Sequence, residues 1–177
     1  TILRRPTRRR HAVNVANHAL AALTLMGIVR RTLAAPILRE RFGAGAAAGG
    51  FFVALVWALH PLQTETVVGI AQRTESLCGL FYLLSVYAFA RGTVCHPLDD
   101  KPAGRVSRRW LVAAVTACLI GMGTKEVMVT APLLVLLYDR TFVAGTFSAA
   151  WQQRRAFYGM LASTWLWLAW LVLQGKG

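Results

Sequence analysis

The sequence predicts an all-α, polytopic membrane protein with about six hydrophobic helices and one interfacial amphipathic helix. Three observations predict it. Hydrophobic residues make up 56% of the 177 residues, with a mean hydropathy of +0.48; a soluble domain is roughly 45–50% apolar even counting glycine. These residues gather in blocks rather than recurring at a helical or strand period. The basic residues fall mostly in short stretches between the blocks, as loops at a membrane surface require.

The six blocks run in order. The first covers 12–29, the second 44–59, the third 76–90, the fourth 110–123, the fifth 127–138 and the sixth 157–173. A helix needs about 20 residues to cross a hydrocarbon core of about 30 Å. The first, second, third and sixth reach that length with small extensions. The fourth and fifth are short: from Trp110 to Tyr138 there are 29 residues for a whole hairpin. Fifteen residues rise only about 22 Å as helix. Lys125 and Glu126 divide that hairpin, so their turn is expected below the membrane surface, in a protein-lined cavity. The stretch AGAAAGG (44–50) has small residues four apart, a spacing that lets helices pack closely. No tetratricopeptide pattern or other internal repeat is visible.

Between the second and third blocks lies the polar segment HPLQTETVVGIAQRTE, from His60 to Glu75. At 100° per residue it places Glu65, Thr66, Gly69, Gln72, Arg73 and Ser76 within about a third of a helix circumference. This reads as an amphipathic helix at the membrane surface, with a carboxylate and a guanidinium on its wet face. An interfacial cap on the bundle is the plainer function for such a helix.

Loop charge gives the orientation. Residues 30–43, 91–109 and 139–156 hold twelve Lys and Arg; 60–75, 124–126 and 175–177 hold three. The positive-inside rule makes the first set cytoplasmic. The N-terminal segment opposes the count: it falls on the other side yet carries Arg4, Arg5, Arg8, Arg9 and Arg10. A misdrawn span or an upstream helix that fixes topology first would account for it. The chain is expected to be a single membrane module over 1–177 and a fragment of a longer protein.

The formal net charge of +13 would suggest nucleic acid in a soluble protein. Here membrane orientation explains the charge better; the run RRPTRRR at 4–10 is suited to acidic lipid or RNA, but no RNA-binding motif or aromatic interleaving accompanies it, and membrane lipid rather than nucleic acid is the expected partner. Cys78, Cys95 and Cys118 have no metal-ligand spacing and support no disulfide framework. No metal site and no cofactor are expected. Asp99 and Asp100 read as a solvated loop.

Four groups of polar residues gather on the extracytoplasmic side: His11, Asn14 and His18; His60 and Glu65; Gln72 and Arg73; Lys125 and Glu126. His11, Asn14 and His18 share one helical stripe, within about 60° of one another. Interhelical hydrogen bonds are the plain explanation. A zinc site would need a further ligand that the spacing does not supply. Lys125 is either half of an ion pair with Glu126 or Glu65, or a clamp for a phosphate oxygen. Cations and carboxylates facing one cavity fit an enzyme handling a lipid phosphate. A transporter would more often show paired, broken helices and internal symmetry, which are not visible.

Three motifs carry a family resemblance. HPLQTETVVGIAQRTESL (60–77) resembles the HPxxxE(S/T)V…R region of bacterial tetratricopeptide-containing membrane proteins, whose animal relatives are the transmembrane and tetratricopeptide-repeat O-mannosyltransferases. NVANHALAAL (14–23) resembles their N-LLLH helix. MGTKEVMVTAPLLVLLYDR (122–140) resembles their K-E…P…D hairpin. The matches cover about 11–140, in the same order. The resemblance implies a GT-C-type glycosyltransferase, transferring a sugar from a polyprenyl-phosphate donor to a protein or glycan acceptor on the extracytoplasmic side. By position, His60, Glu65, Arg73 and Lys125 would line the cavity, with Lys125 and Arg73 on the donor phosphate. In such enzymes the catalytic carboxylate usually lies in the first extracytoplasmic loop, so the general base is expected upstream of this chain. The other expectation is a non-catalytic anchor for a tetratricopeptide scaffold. The Ala- and Arg-rich composition suggests a bacterial origin, so the bacterial inner membrane is the expected location.

Overall fold

The computed structural model describes residues 4–60, 73–94 and 106–174, with side chains described for 12–60, 74–94 and 106–174. All regular structure in these residues is helical. Helix α1 is Arg4–Leu33, α2 Pro36–Phe42, α3 Ala46–Leu59, α4 Arg73–Thr93, α5 Arg108–Met122, α6 Ala131–Asp139 and α7 Phe147–Gln174. Short 3-10 turns at Gly43–Gly45 and Glu126–Thr130 lead into α3 and α6.

Each of the six apolar blocks is helical, but fewer than the six expected hydrophobic helices qualify as spans, and the fifth block does so in place of the third. Among the described residues, four segments are long and apolar enough to cross a membrane: Ala12–Leu33, Pro36–Leu59, Glu126–Ala144 and Phe147–Gln174. The fifth block qualifies because its 3-10 turn, α6 and a π turn (Arg140–Ala144) run on as one helical segment. Helix α5 does not qualify: its 15 residues reach about 22 Å. Helix α4 has the length but carries Arg73, Glu75, Arg91 and several hydroxyls. It is the central helix, packed against α1, α5 and α6, so less of its surface must be apolar than on a lipid-facing helix. The chain is an integral membrane protein.

The packing follows from residue size. Along α1 the buried positions are Asn14, Asn17, Ala21, Thr24 and Arg31, a stripe that repeats three or four residues apart. Along α3 they are Ala46, Gly50 and Ala54, four apart. Gly50 sits so close to α1 that a Cβ there would lie 2.9 Å from the Met26 carbonyl oxygen and 3.2 Å from Arg30 Cβ. This is the small-residue contact expected from AGAAAGG. The outer face of α3 exposes Phe51, Phe52, Leu55 and Val56, and α7 exposes Leu166, Trp170 and Leu173. Surfaces of this kind are stable against lipid and a liability in water.

The hydrophobic core gathers around Phe89 of α4. Its ring stacks on Phe157 at 5.4 Å and meets Tyr138 edge-on at 6.2 Å. Beside it lies a buried polar cluster. Asp139 is fully buried, and Arg154 Nη1 donates to both its carboxylate oxygens at 2.8 and 2.9 Å. The Tyr158 hydroxyl donates to the same carboxylate at 2.5 Å. The expected loop over 139–156 is therefore mostly helix. After the π turn, Gly145 takes φ +79°, a conformation suited to glycine, and α7 begins at Phe147, well before the expected 157.

The two sets of connections lie at opposite ends of the bundle. At one end, Ser107 N–H donates to the Gly92 carbonyl at 2.9 Å, Arg91 lies 4.2 Å over the Trp110 ring, and Thr32 and Tyr138 hydroxyls meet at 2.8 Å. These belong to the arginine-rich connections. At the other end α1 and α3 meet at His18 and Ala58, and α4 meets the α5–α6 turn at Glu75 and Lys125.

Candidate functional site

At this second end a cleft of about 590 Å³ opens between α1, α3, α4 and the turn after α5. That volume is in the range of small-ligand sites. From α1 it takes His18 and Ala21, from α3 Trp57, and from α4 Glu75, Ser76, Gly79 and Tyr82; Lys125 and Val127 close the remaining side.

Lys125 reaches the cleft because α5 stops short. Gly123, Thr124 and Lys125 donate N–H groups back to the carbonyls of Ile120 and Gly121, closing a tight turn. Lys125 is then extended, at φ −160° and ψ 146°, before the next 3-10 turn. Its Nζ donates to Glu75 Oε1 at 2.5 Å, and the two side chains are 43% and 50% exposed. Lys125 is thus paired with Glu75 rather than with Glu126, and it is half-exposed rather than enclosed. An ion pair this accessible contributes about 0–1 kcal/mol in water. It is weak structural glue, and its ammonium can turn to another anion at little cost.

Glu75 stands in the first turn of α4, where a carboxylate complements the helix dipole. It shares a face with Gly79 and Tyr82, four and seven residues on. A Cβ on Gly79 would meet nothing within 4 Å, so the cleft wall is open there. The Tyr82 hydroxyl is 3.1 Å from that of Thr130, tying α4 to the Lys125 side.

His18 has a structural role at the rim. Its Nε2 donates to the Ala58 carbonyl at 3.1 Å, one of the last carbonyls of α3, which lack an intrahelical partner. Its ring stacks on Trp57 at 5.0 Å. With Nε2 carrying the proton, Nδ1 is an acceptor.

The structure therefore brings together two of the expected site residues, His18 and Lys125. Asn14 is buried on the inward stripe of α1, one turn before His18, and is not on the cleft wall. His60 ends α3 in an extended conformation, exposed, and Glu126 opens the 3-10 turn, exposed; neither lines the cleft. Glu65, Gln72 and most of the expected interfacial helix lie outside the described residues, as do the side chains of His11 and Arg73. Among the described residues no group of three His, Cys, Asp or Glu could hold a metal ion. Glu75, Gly79 and Tyr82 were not expected in the site. Their signal was present in the sequence, as an acidic residue, a glycine and a tyrosine on one face of the third apolar block.

No protein-family model and no solved structure matches the chain. Curated relatives do. The human protein O-mannosyl-transferase TMTC1 is 31% identical over 129 residues, 73% of this chain and 14% of that protein. The Drosophila melanogaster protein O-mannosyl-transferase Tmtc1 is 34% identical over 131 residues, 73% of this chain and 13% of that protein. The human TMTC4 enzyme is 30% identical over 95 residues, 54% of this chain and 12% of that protein. The chain thus spans 14% or less of the length of these relatives. In sequence it resembles the membrane module of the transmembrane and tetratricopeptide-repeat protein O-mannosyl-transferases.

Proposed function

We propose that the full-length protein is a membrane glycosyltransferase of GT-C type and that the cleft at Lys125 receives part of its lipid-linked donor. The donor in this reading is a polyprenyl-phosphate sugar, with mannose the first sugar to test. The acceptor is a hydroxyl of a protein or glycan on the extracytoplasmic side. The Ala- and Arg-rich composition favours the bacterial inner membrane as the site of action. The observation that carries the reading is similarity to proteins named O-mannosyl-transferases over 73% of the chain, with Lys125 of the resembling hairpin on a cleft wall.

In this reaction the bond from the sugar C1 to the phosphate oxygen breaks and a bond from C1 to the acceptor oxygen forms. The acceptor proton passes to a base, which we place on a carboxylate outside this chain. Negative charge grows on the departing phosphate, and an ammonium held there stabilises it. Lys125 is suited to that task because Glu75 holds it at the cleft through a weak, exposed pair. Arg73, at the start of α4, is the second candidate for the phosphate, and Glu65 for orienting the acceptor.

The test is transfer of labelled sugar from a polyprenyl-phosphate donor by full-length protein in membranes. Wild type, Lys125→Ala and Glu65→Gln are compared at matched protein level. Loss of about a hundredfold or more in Lys125→Ala supports the reading. Transfer by Lys125→Ala equal to wild type makes Lys125 structural. No transfer by wild type from any of several donors favours the scaffold anchor.

A further inference from the structure

A second site lies at the opposite, arginine-rich end of the bundle. A groove of about 450 Å³ runs between α5 and α7, and Arg108, Arg154 and Arg155 all line it. The three guanidiniums are not equivalent. Arg154 is held from behind by the fully buried Asp139, through Nη1 alone, and its Nε is buried with no hydrogen-bond partner. Its side chain is 7% exposed. Arg108 and Arg155 are exposed, and neither makes an ion pair among the described residues. Among the described residues at the groove, one carboxylate therefore stands against three cations. The N-terminus of α5 adds to the positive potential, because the Ser107 side chain makes no capping bond to its first N–H groups.

The rest of the groove is apolar. Leu111 and Phe157 form its floor, and Val112 and Met160 continue it along faces that are exposed on α5 and α7. Charge and shape together describe an amphiphile: an anionic phosphate at the arginines and hydrocarbon along Val112 and Met160. Neutral lipid would leave the guanidiniums of Arg108 and Arg155 without a counter-charge among the described residues. Basic pockets between membrane helices are a recurring mode of anionic headgroup recognition.

We propose that this groove binds an anionic phospholipid, with the headgroup phosphate at Arg108, Arg154 and Arg155 and an acyl chain between α5 and α7. The site is separate from the Lys125 cleft and does not depend on the reaction proposed there. It ties α5, whose 15 residues are too few to span the membrane alone, to α7 at the membrane surface.

The experiment uses full-length protein purified in a neutral detergent. Bound lipid is counted by native mass spectrometry, and the melting temperature is followed against added phosphatidylglycerol, phosphatidylcholine or inorganic phosphate. The expected result is phosphatidylglycerol bound at least about tenfold more tightly than phosphatidylcholine, with a rise in melting temperature. Arg108→Gln/Arg155→Gln leaves the buried Arg154–Asp139 pair intact and should weaken phosphatidylglycerol binding by about tenfold or more. Arg39→Gln/Arg41→Gln on α2 removes the same charge at the same end, away from the groove, and should change binding less than about threefold. Equal losses in the two pairs would show bulk charge attraction and overturn the site. So would no preference for phosphatidylglycerol, or no loss in the groove variant. Inorganic phosphate that binds as tightly as phosphatidylglycerol would overturn the lipid assignment.

Discussion

Removing the Asp139 carboxylate should be among the most damaging single changes in the described residues. In Asp139→Leu the guanidinium of Arg154, 7% exposed, loses both its carboxylate contacts. The Tyr158 hydroxyl loses its acceptor. Breaking a buried ion pair from one side costs about 3–5 kcal/mol, because a charge is left buried without compensation. Arg154→Met should cost about the same from the other side. The double variant Asp139→Leu/Arg154→Met removes both charges and fills the space with apolar side chains, so it should recover most of the loss. The coupling energy between the positions is then about 3 kcal/mol or more. Tyr158→Phe removes one hydrogen bond to a charged group and should cost about 1.5–3 kcal/mol. The assay is reversible unfolding in mixed micelles by titration with a denaturing detergent, followed by tryptophan fluorescence. Losses that simply add in the double variant, or an Asp139→Leu protein as stable as wild type, would refute the reasoning.

Four further outcomes follow from other parts of the bundle. Gly50→Val should destabilise the α1–α3 contact by about 1–3 kcal/mol, since a Cβ there already meets the Met26 carbonyl at 2.9 Å; Gly79→Ala, with nothing within 4 Å, is the comparison in the same unfolding assay and should stabilise by up to about 1 kcal/mol as a glycine leaves a helix interior. His18→Phe keeps a ring against Trp57 but leaves the Ala58 carbonyl without its donor, and should cost about 1 kcal/mol by the same measurement. Glu75→Gln should lower stability by less than about 1 kcal/mol, because the pair it breaks is half-exposed. In the sugar-transfer assay Glu75→Gln should lose far less than Lys125→Ala, since it frees the ammonium rather than removing it.

The helices were legible because the information is local. Each apolar block folds as helix, and the small residues at 46, 50 and 54 mark the close crossing of α3 on α1. What the sequence hid depended on tertiary pairing. Arg154 looks like a loop cation until Asp139 and Tyr158 are placed around it, and only then is its burial affordable in charge. The aspartate was in view, as the last acidic residue of the hairpin motif, but its partner lies 15 residues on. Glu75 was missed for a geometric reason. Drawn as one continuous helix from 60, it falls off the wet face that holds Glu65 and Arg73. Within α4, Glu75 instead shares the face of Gly79 and Tyr82. His18 was legible as a polar group at the end of α1 expected to be extracytoplasmic, but its contact with the end of α3 depends on how α1 and α3 cross.

The most direct measurement of whether the cleft holds the donor is a steric one. Gly79→Trp places an indole in the open wall beside Glu75 and Lys125 without touching either charge. Initial rates of sugar transfer by full-length protein would be followed against polyprenyl-phosphate donor concentration, with the melting temperature as the control for folding. The account predicts an unchanged melting temperature and transfer reduced at least about tenfold, with the KM for donor raised. Transfer at the wild-type rate and KM, with the cleft filled by the indole, would contradict it.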